Sequence, residues 1–285
     1  MKLLSYSKAL YSNWLYYSPD NMLFDAGEGV SSIMGNKSFA VERVLLSHGH
    51  ADHIAGLIGL VNIRNNAMGD KAKPLTVYYP KDNFHISELM NYLHRTNSNL
   101  SYQLEWKPLE PGDVVQVFGE PQSRNARHVE AFQTEHSQRE VSLGYNVVET
   151  RQKLKEEYNS LAQQEIEKLA REEERNEIME NYQQKIFTYG GDSVGLDPQK
   201  IQKTEMLFHD ATFLEEEDRK QYKHATLEEA VQVAKEAQVK KELFAFHISS
   251  RYRGRIDDYA EEINRRPDVN FSVTLLEPGQ IFSRG

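Results

Sequence analysis

The chain has 285 residues, a mass of 33.0 kDa and 34 basic against 43 acidic side chains, a net charge of −9 with a pI near 5.6. With 39% hydrophobic and 27% charged residues it has enough apolar chain for a sizeable core, which excludes a disordered protein. The acidic balance excludes a general nucleic-acid coat or a membrane-surface binder, though not a local basic patch. Cysteine is absent, so disulfides, thiolate metal sites and a Cys nucleophile are excluded, and any transition metal must be held by His, Asp or Glu. The opening residues, interrupted by Ser, Lys and Asn, lack the apolar core and cleavage site of a signal peptide. No window approaches the roughly 20 apolar residues of a membrane span. A cytoplasmic protein is expected.

In chain order, Met22–Val30 is an apolar run that breaks at Gly27 and Gly29. Arg43–His50 is a buried-type strand entering a polar loop. His53–Asn66 has helical spacing, with Ile54, Leu57, Ile58 and Val61 on one face. Leu75–Pro80 is a strand stopped by proline, and Asp113–Phe118 and Glu140–Glu149 alternate like half-buried strands. Residues 151–185 then change character: they contain no Gly or Pro, are dense in helix formers, and place Leu154, Tyr158, Leu161 and Leu169 near helical spacing. They predict an inserted helical element, one long helix or two broken near Asn176. It is read as a solvated amphipathic helix packed on the domain, or as an arm for dimer or substrate contact. Three further strands follow, each running into a polar tip: KIFTYGGDS, EMLFHDATF and ELFAFHISSRY. Helices are predicted over Thr226–Gln238 and Ile256–Arg265. Strands separated by helices in both halves suggest two sheets with helices outside.

The strongest chemical signal is His48-Gly49-His50-Ala51-Asp52-His53, three His and one Asp just past an apolar strand. Alternate side chains at a strand tip point into one space, so His48 and His50 can share a metal. Asp52 and His53, around the bend, can address a second one. Seven of the ten His residues fall in polar tips of this kind, while His85, His94 and His128 read as ordinary surface or core residues. A His/Asp set without Cys favours Zn²⁺, with Mn²⁺ or Fe as alternatives.

The HxHxDH pattern after a strand resembles the signature of the metallo-β-lactamase superfamily, and the later motifs resemble its ribonuclease Z branch. Asp25 in FDAGEGV matches the superfamily's first Asp motif. His136 in TEHSQREVSLGY, Asp192 in YGGDS and His247 in FHISSRY match its later metal motifs, and FHDATF and His224-Ala225-Thr226 resemble two segments typical of ribonuclease Z. The resemblance covers nearly the whole chain apart from 151–185. It implies an αββα sandwich, one domain over 1–285 with 151–185 inserted. It implies two divalent metals, His48, His50 and His136 on one, Asp52, His53 and His247 on the other, and Asp192 bridging them. Asp25 is expected to brace the ligand loop without touching metal. Asp210 and His224 are expected to form the proton-delivery pair, with His224 as general acid, Asp52 orienting the attacking water, and Arg251 offering a phosphate contact.

The implied reaction is hydrolysis of a phosphodiester, in ribonuclease Z the endonucleolytic 3′-end processing of precursor tRNA, by a homodimer. Two alternatives stand beside it. One is a phosphodiesterase or other ester hydrolase using the same dinuclear site on a small molecule. The other is a non-catalytic binding module on the same fold.

Overall fold

The computed structural model describes residues 3–68, 71–136, 140–158, 160–172 and 175–285. The strands form two seven-stranded sheets. The first sheet takes β1 (Leu3–Lys8), β2 (Ser12–Tyr17), β3 (Met22–Phe24), β4 (Arg43–Leu45), β5 (Leu75–Pro80) and β6 (Leu104–Leu109). The second takes β7 (Val114–Phe118), β8 (Arg127–Thr134), β9 (Ser142–Leu154), β10 (Met179–Tyr189), β11 (Met206–Asp210), β12 (Glu242–Phe246) and β13 (Ser272–Leu275). The last strand, β14 (Ile281–Arg284), returns to the first sheet and pairs with β1. Helices α1 (Val30–Met34), α2 (Ala51–Ile54), α3 (Leu57–Met68) and α4 (Phe84–Thr96) follow the first sheet's strands; α5 (Gln163–Glu172) and α6 (Arg175–Ile178) lie between β9 and β10; α7 (Leu227–Glu236) and α8 (Ile256–Asn264) follow β11 and β12.

Three apolar layers hold this together. Between the sheets lies an aromatic-rich core with Phe24, Tyr145, Phe187, Phe208 and Phe244. Phe24 packs edge-on to Phe187 at 5.3 Å between ring centroids, and Phe208 stacks on Phe244 at 4.5 Å. A second cluster joins Ala230, Val231 and Ala234 of α7 and Ile256 and Ile263 of α8 to the outer face of the second sheet. A third joins Leu57, Leu60, Val61, Ile86 and Leu93 to the first. The result is the expected αββα sandwich. No helix among the described residues is long and apolar enough to cross a membrane.

The prediction of helix throughout 151–185 is corrected. β9 continues to Leu154 and β10 already begins at Met179, and the two pair antiparallel from Tyr145–Tyr189 out to Leu154–Met179. Helix is confined to the tip, in α5 and α6. Asn181 and Tyr182 carry weak helix preference, and cross-strand pairing overrides the helix formers around them. Positions 159, 173 and 174 lie outside the described residues.

The strands β3–β6 run parallel to their neighbours, as do β10–β13. Their carboxyl ends therefore gather at one rim, where open α/β sheets bind ligands. Asp25, His48, Asp192, Asp210 and His247 all stand at or just past such ends. Two glycines let the loops there close. A Cβ on Gly56 would lie 2.0 Å from the Gly27 carbonyl oxygen, and one on Gly27 would lie 2.3 Å from that of Asp52. Gly56→Ala is therefore expected to cost about 3 kcal/mol or more, read as a lower denaturant midpoint. A change under about 0.5 kcal/mol would show that the start of α3 shifts freely.

Candidate metal centre

The turn from β4 into α2 presents His48, His50, Asp52 and His53 within one bend. His136 follows β8, Asp192 follows β10, and His247 follows β12 at a left-handed φ of 61°. Donor atoms of His48, His50, His136 and Asp192 lie within 4.8 Å of one another, as do those of Asp52, His53, Asp192 and His247. These are the two groups the resemblance implies, with Asp192 in both. Its Oδ1 is 3.2 Å from His53 Nε2 and its Oδ2 is 3.2 Å from His247 Nε2. Asp52 Oδ2 lies 3.4 Å from His247 Nε2 and 3.7 Å from His53 Nε2. His50 Nδ1 and His136 Nε2 are 3.1 Å apart, two ring nitrogens brought to one point.

The outward nitrogens are already occupied. Ser47 Oγ donates to Asp25 Oδ2 at 2.8 Å, so its oxygen accepts from His48 Nδ1 at 2.9 Å. Thr212 Oγ1 donates to Asp210 Oδ1 and accepts from His247 Nδ1, both at 2.7 Å. His53 Nδ1 meets Asp25 Oδ2 at 2.7 Å, and His136 Nδ1 meets the Lys223 carbonyl at 3.0 Å. A hydroxyl has one proton, so these chains fix the tautomer and leave each Nε2 lone pair facing inward. His48 Nε2 and Asp192 Oδ1 are buried with no hydrogen-bond partner. Buried orphans are rare, and a nitrogen and a carboxylate oxygen left so in one cluster fit a cation. The donor set suits Zn²⁺, Mn²⁺ or Fe.

Electrostatics agree. Burial pushes the pKa values of His48, His50 and His136 down, keeping them neutral as ligation requires. Burial alone would raise the Asp192 carboxyl, but His247 and His53 hold it well below the usual range. Burial also opposes charge on His224, yet the Asp210 carboxylate 2.7 Å from its Nδ1, with Asp192 behind, lifts it to about 9. His224 stacks on His247 at 4.9 Å and sits 3.9 Å from Asp192 Oδ2. The turn before α7 places it: Leu227 donates to the Phe213 carbonyl at 2.8 Å, folding His224 back over Asp210.

The structure thus brings together every predicted ligand and the Asp210–His224 pair. Arg251 stands apart in its contacts: half exposed, it pairs with Asp218 Oδ1 at 2.6 Å. Asp25 braces without joining either donor group. Several partners escape sequence reading. Ser47 and Thr212 sit inside quoted motifs but carry no motif of their own. Asn13, fully buried, donates to Asp52 Oδ2 at 3.1 Å and accepts from Ser7 Oγ at 2.7 Å, while Ser7 Oγ accepts from the His247 backbone N–H at 2.7 Å. No local pattern in the first hairpin points to this clasp. Residues 137–139 of the His136 motif lie outside the described residues.

A profile of the beta-lactamase superfamily domain matches residues 20–155. Ribonuclease Z of Thermococcus gammatolerans is 30% identical over 286 residues, covering 91% of this chain and 85% of that protein. The chain belongs to the ribonuclease Z-like branch of the metallo-β-lactamase superfamily. Ribonuclease Z of Archaeoglobus fulgidus is 29% identical, covering 88% of this chain and 85% of that one. Among solved structures, the short form of human tRNase Z superposes with a TM-score of 0.64 at 18% identity, covering 99% of this chain and 98% of its own. The metallo-beta-lactamase fold protein YhfI from Bacillus subtilis gives 0.66 at 16% identity, covering 99% of each.

Thr212→Val keeps shape but frees His247 Nδ1 from its hydroxyl. Metal affinity in a chelator competition is expected to fall about 10–100-fold. Unchanged affinity would show that the hydroxyl does not hold the ring.

Proposed function

We propose that this metal-dependent phosphodiester hydrolase of the ribonuclease Z type is an endonuclease that trims the 3′ end of precursor tRNA. The observation that carries the reading is two donor groups sharing Asp192 beside a hydrogen-bonded Asp210–His224 pair. Two divalent cations in such a site supply the Lewis acidity that activates water and neutralises charge on phosphoryl oxygens.

The chain's own groups do the rest. Asp52, partly exposed at the mouth and steadied through Oδ2 by Asn13, offers its other oxygen to orient the attacking water. His224 has Nδ1 committed to Asp210, so Nε2 is the nitrogen from which a proton passes to the leaving oxygen. Asp210 accepts from the backbone N–H of Thr212 at 2.8 Å and of Ser193 at 3.2 Å, which holds its carboxyl group facing the imidazole. Arg251 serves phosphate only by leaving Asp218. A homodimer, as the resemblance implies, belongs to the same proposal.

The test sets precursor tRNA beside a chromogenic bis-phosphodiester. Cutting at the 3′ end of the tRNA body is expected. Turnover of the small diester alone, without tRNA retention at low salt, would overturn the endonuclease and favour a small-molecule phosphodiesterase. His224→Ala is expected to slow the reaction about 10²–10⁴-fold with metal content unchanged. An unchanged rate would remove His224 as the acid. Asp192→Ala is expected to lose both metals by elemental analysis; retention of either at full occupancy would contradict a bridging role.

A further inference from the structure

The outer face of the second sheet is covered by α7 and α8 only over β11–β13. Over β8–β10 it is covered in part by the segment joining β10 to β11, whose Leu196 and Ile201 cluster with Phe132 of β8, and a cavity of about 350 Å³ opens beside that segment. Its lining includes Lys185, Lys203 and Lys240, with Gln183, Gln202 and Tyr182. One carboxylate, Glu130, shares the cavity, and it lies 3.3 Å from His128 Nε2.

Lysines around this cavity find acids. Lys241 pairs with Glu205 at 2.8 Å, Lys153 with Glu180 at 2.9 Å and Lys235 with Asp268 at 2.6 Å. Of the three in the cavity, Lys185 feels the Glu130 carboxylate, and Lys203 and Lys240 make no ion pair among the described residues. In a chain of net charge −9, with acids in excess, three lysines around one carboxylate are a local inversion of sign. The trio is also held in place. Gln184, almost fully buried, donates through Nε2 to the Lys203 carbonyl at 2.9 Å and accepts through Oε1 from Lys240 Nζ at 2.5 Å. Lys203 occupies a left-handed backbone position, φ 58°, which glycine would take without strain. Lys185 is half-buried, and burial pushes its ammonium down.

We propose that this cavity is a phosphate-binding site separate from the metal centre. Three lysines and two amides lining one concave space suit an anionic phosphate with several oxygens. The space exceeds a bare phosphate, so the phosphate arrives with something attached. Two sources share that chemistry: the backbone of a bound RNA, and a free phosphate compound.

Inorganic phosphate is titrated into the metal-loaded protein at low ionic strength, following the side-chain amide resonances of Gln183, Gln184 and Gln202. These report on the cavity and not on the metal centre. Saturable shifts are expected, weakened roughly tenfold or more in Lys203→Ala/Lys240→Ala. Turnover of the small diester is expected to be the same in both proteins. Shifts that are absent at millimolar phosphate, or identical in the double variant, would overturn the proposal. A parallel arm measures retention of an RNA oligonucleotide against salt. A shallower salt slope in the double variant assigns the site to backbone phosphate, and an unchanged slope with lost phosphate shifts assigns it to a free phosphate compound. The site does not depend on the endonuclease reading, because its readouts stand whether or not tRNA is cut.

Discussion

One buried carboxylate organises the rim. Asp25 ends β3 in a left-handed conformation, φ 54°, and is fully buried. It accepts from the Ser47 backbone at 2.7 Å, from Ser47 Oγ at 2.8 Å, from His53 Nδ1 at 2.7 Å and from the Tyr189 hydroxyl at 2.8 Å. Those partners come from the ends of β4 and β10 and from the start of α2, so one anion ties the two sheets together at the place where ligands leave them. A buried charge of this kind is tolerated only when its lone pairs are satisfied. Satisfying it orients His53 directly and His48 through Ser47. The Ser47 carbonyl also accepts from Leu143, and the Tyr145 hydroxyl reaches the Leu46 carbonyl at 2.6 Å, adding β9 to the same seam.

Much of this was legible in the sequence. His48 to His53 announced itself because metal ligands spaced across a strand tip leave a local pattern. His136, Asp192 and His247 were legible through motifs at the ends of apolar strands. The strands themselves were legible where burial is two-sided, as in LFAF of β12. The stretch 151–185 misled because composition there favours helix, while the decisive fact is non-local. Apart from Ile186 at a bulge, the residues of β10 out to Met179 have partners on β9, and no window of the sequence displays a partner. Asn13 and Ser7 were illegible for the same reason. Their roles depend on contacts to Asp52 and His247, 39 and 240 positions away.

The metal rim and the lysine cavity divide the surface by chemistry. The rim gathers imidazoles and carboxylates, an arrangement that suits metal cations. The cavity gathers lysines on the outer side of the second sheet. Both are built by the same device: a buried polar side chain, Asp25 in one and Gln184 in the other, whose hydrogen bonds fix groups contributed by separate elements.

The hydroxyl relays at Ser47 and Thr212 carry a further consequence. Since each ring they hold turns its Nδ1 to the hydroxyl, coordination through Nε2 at His48 and His247 demands no ring flip. The cost of organising the pocket is met during folding, not during loading. His50 differs, being the one exposed member of its donor group. It is the solvent-facing side of an otherwise enclosed donor set.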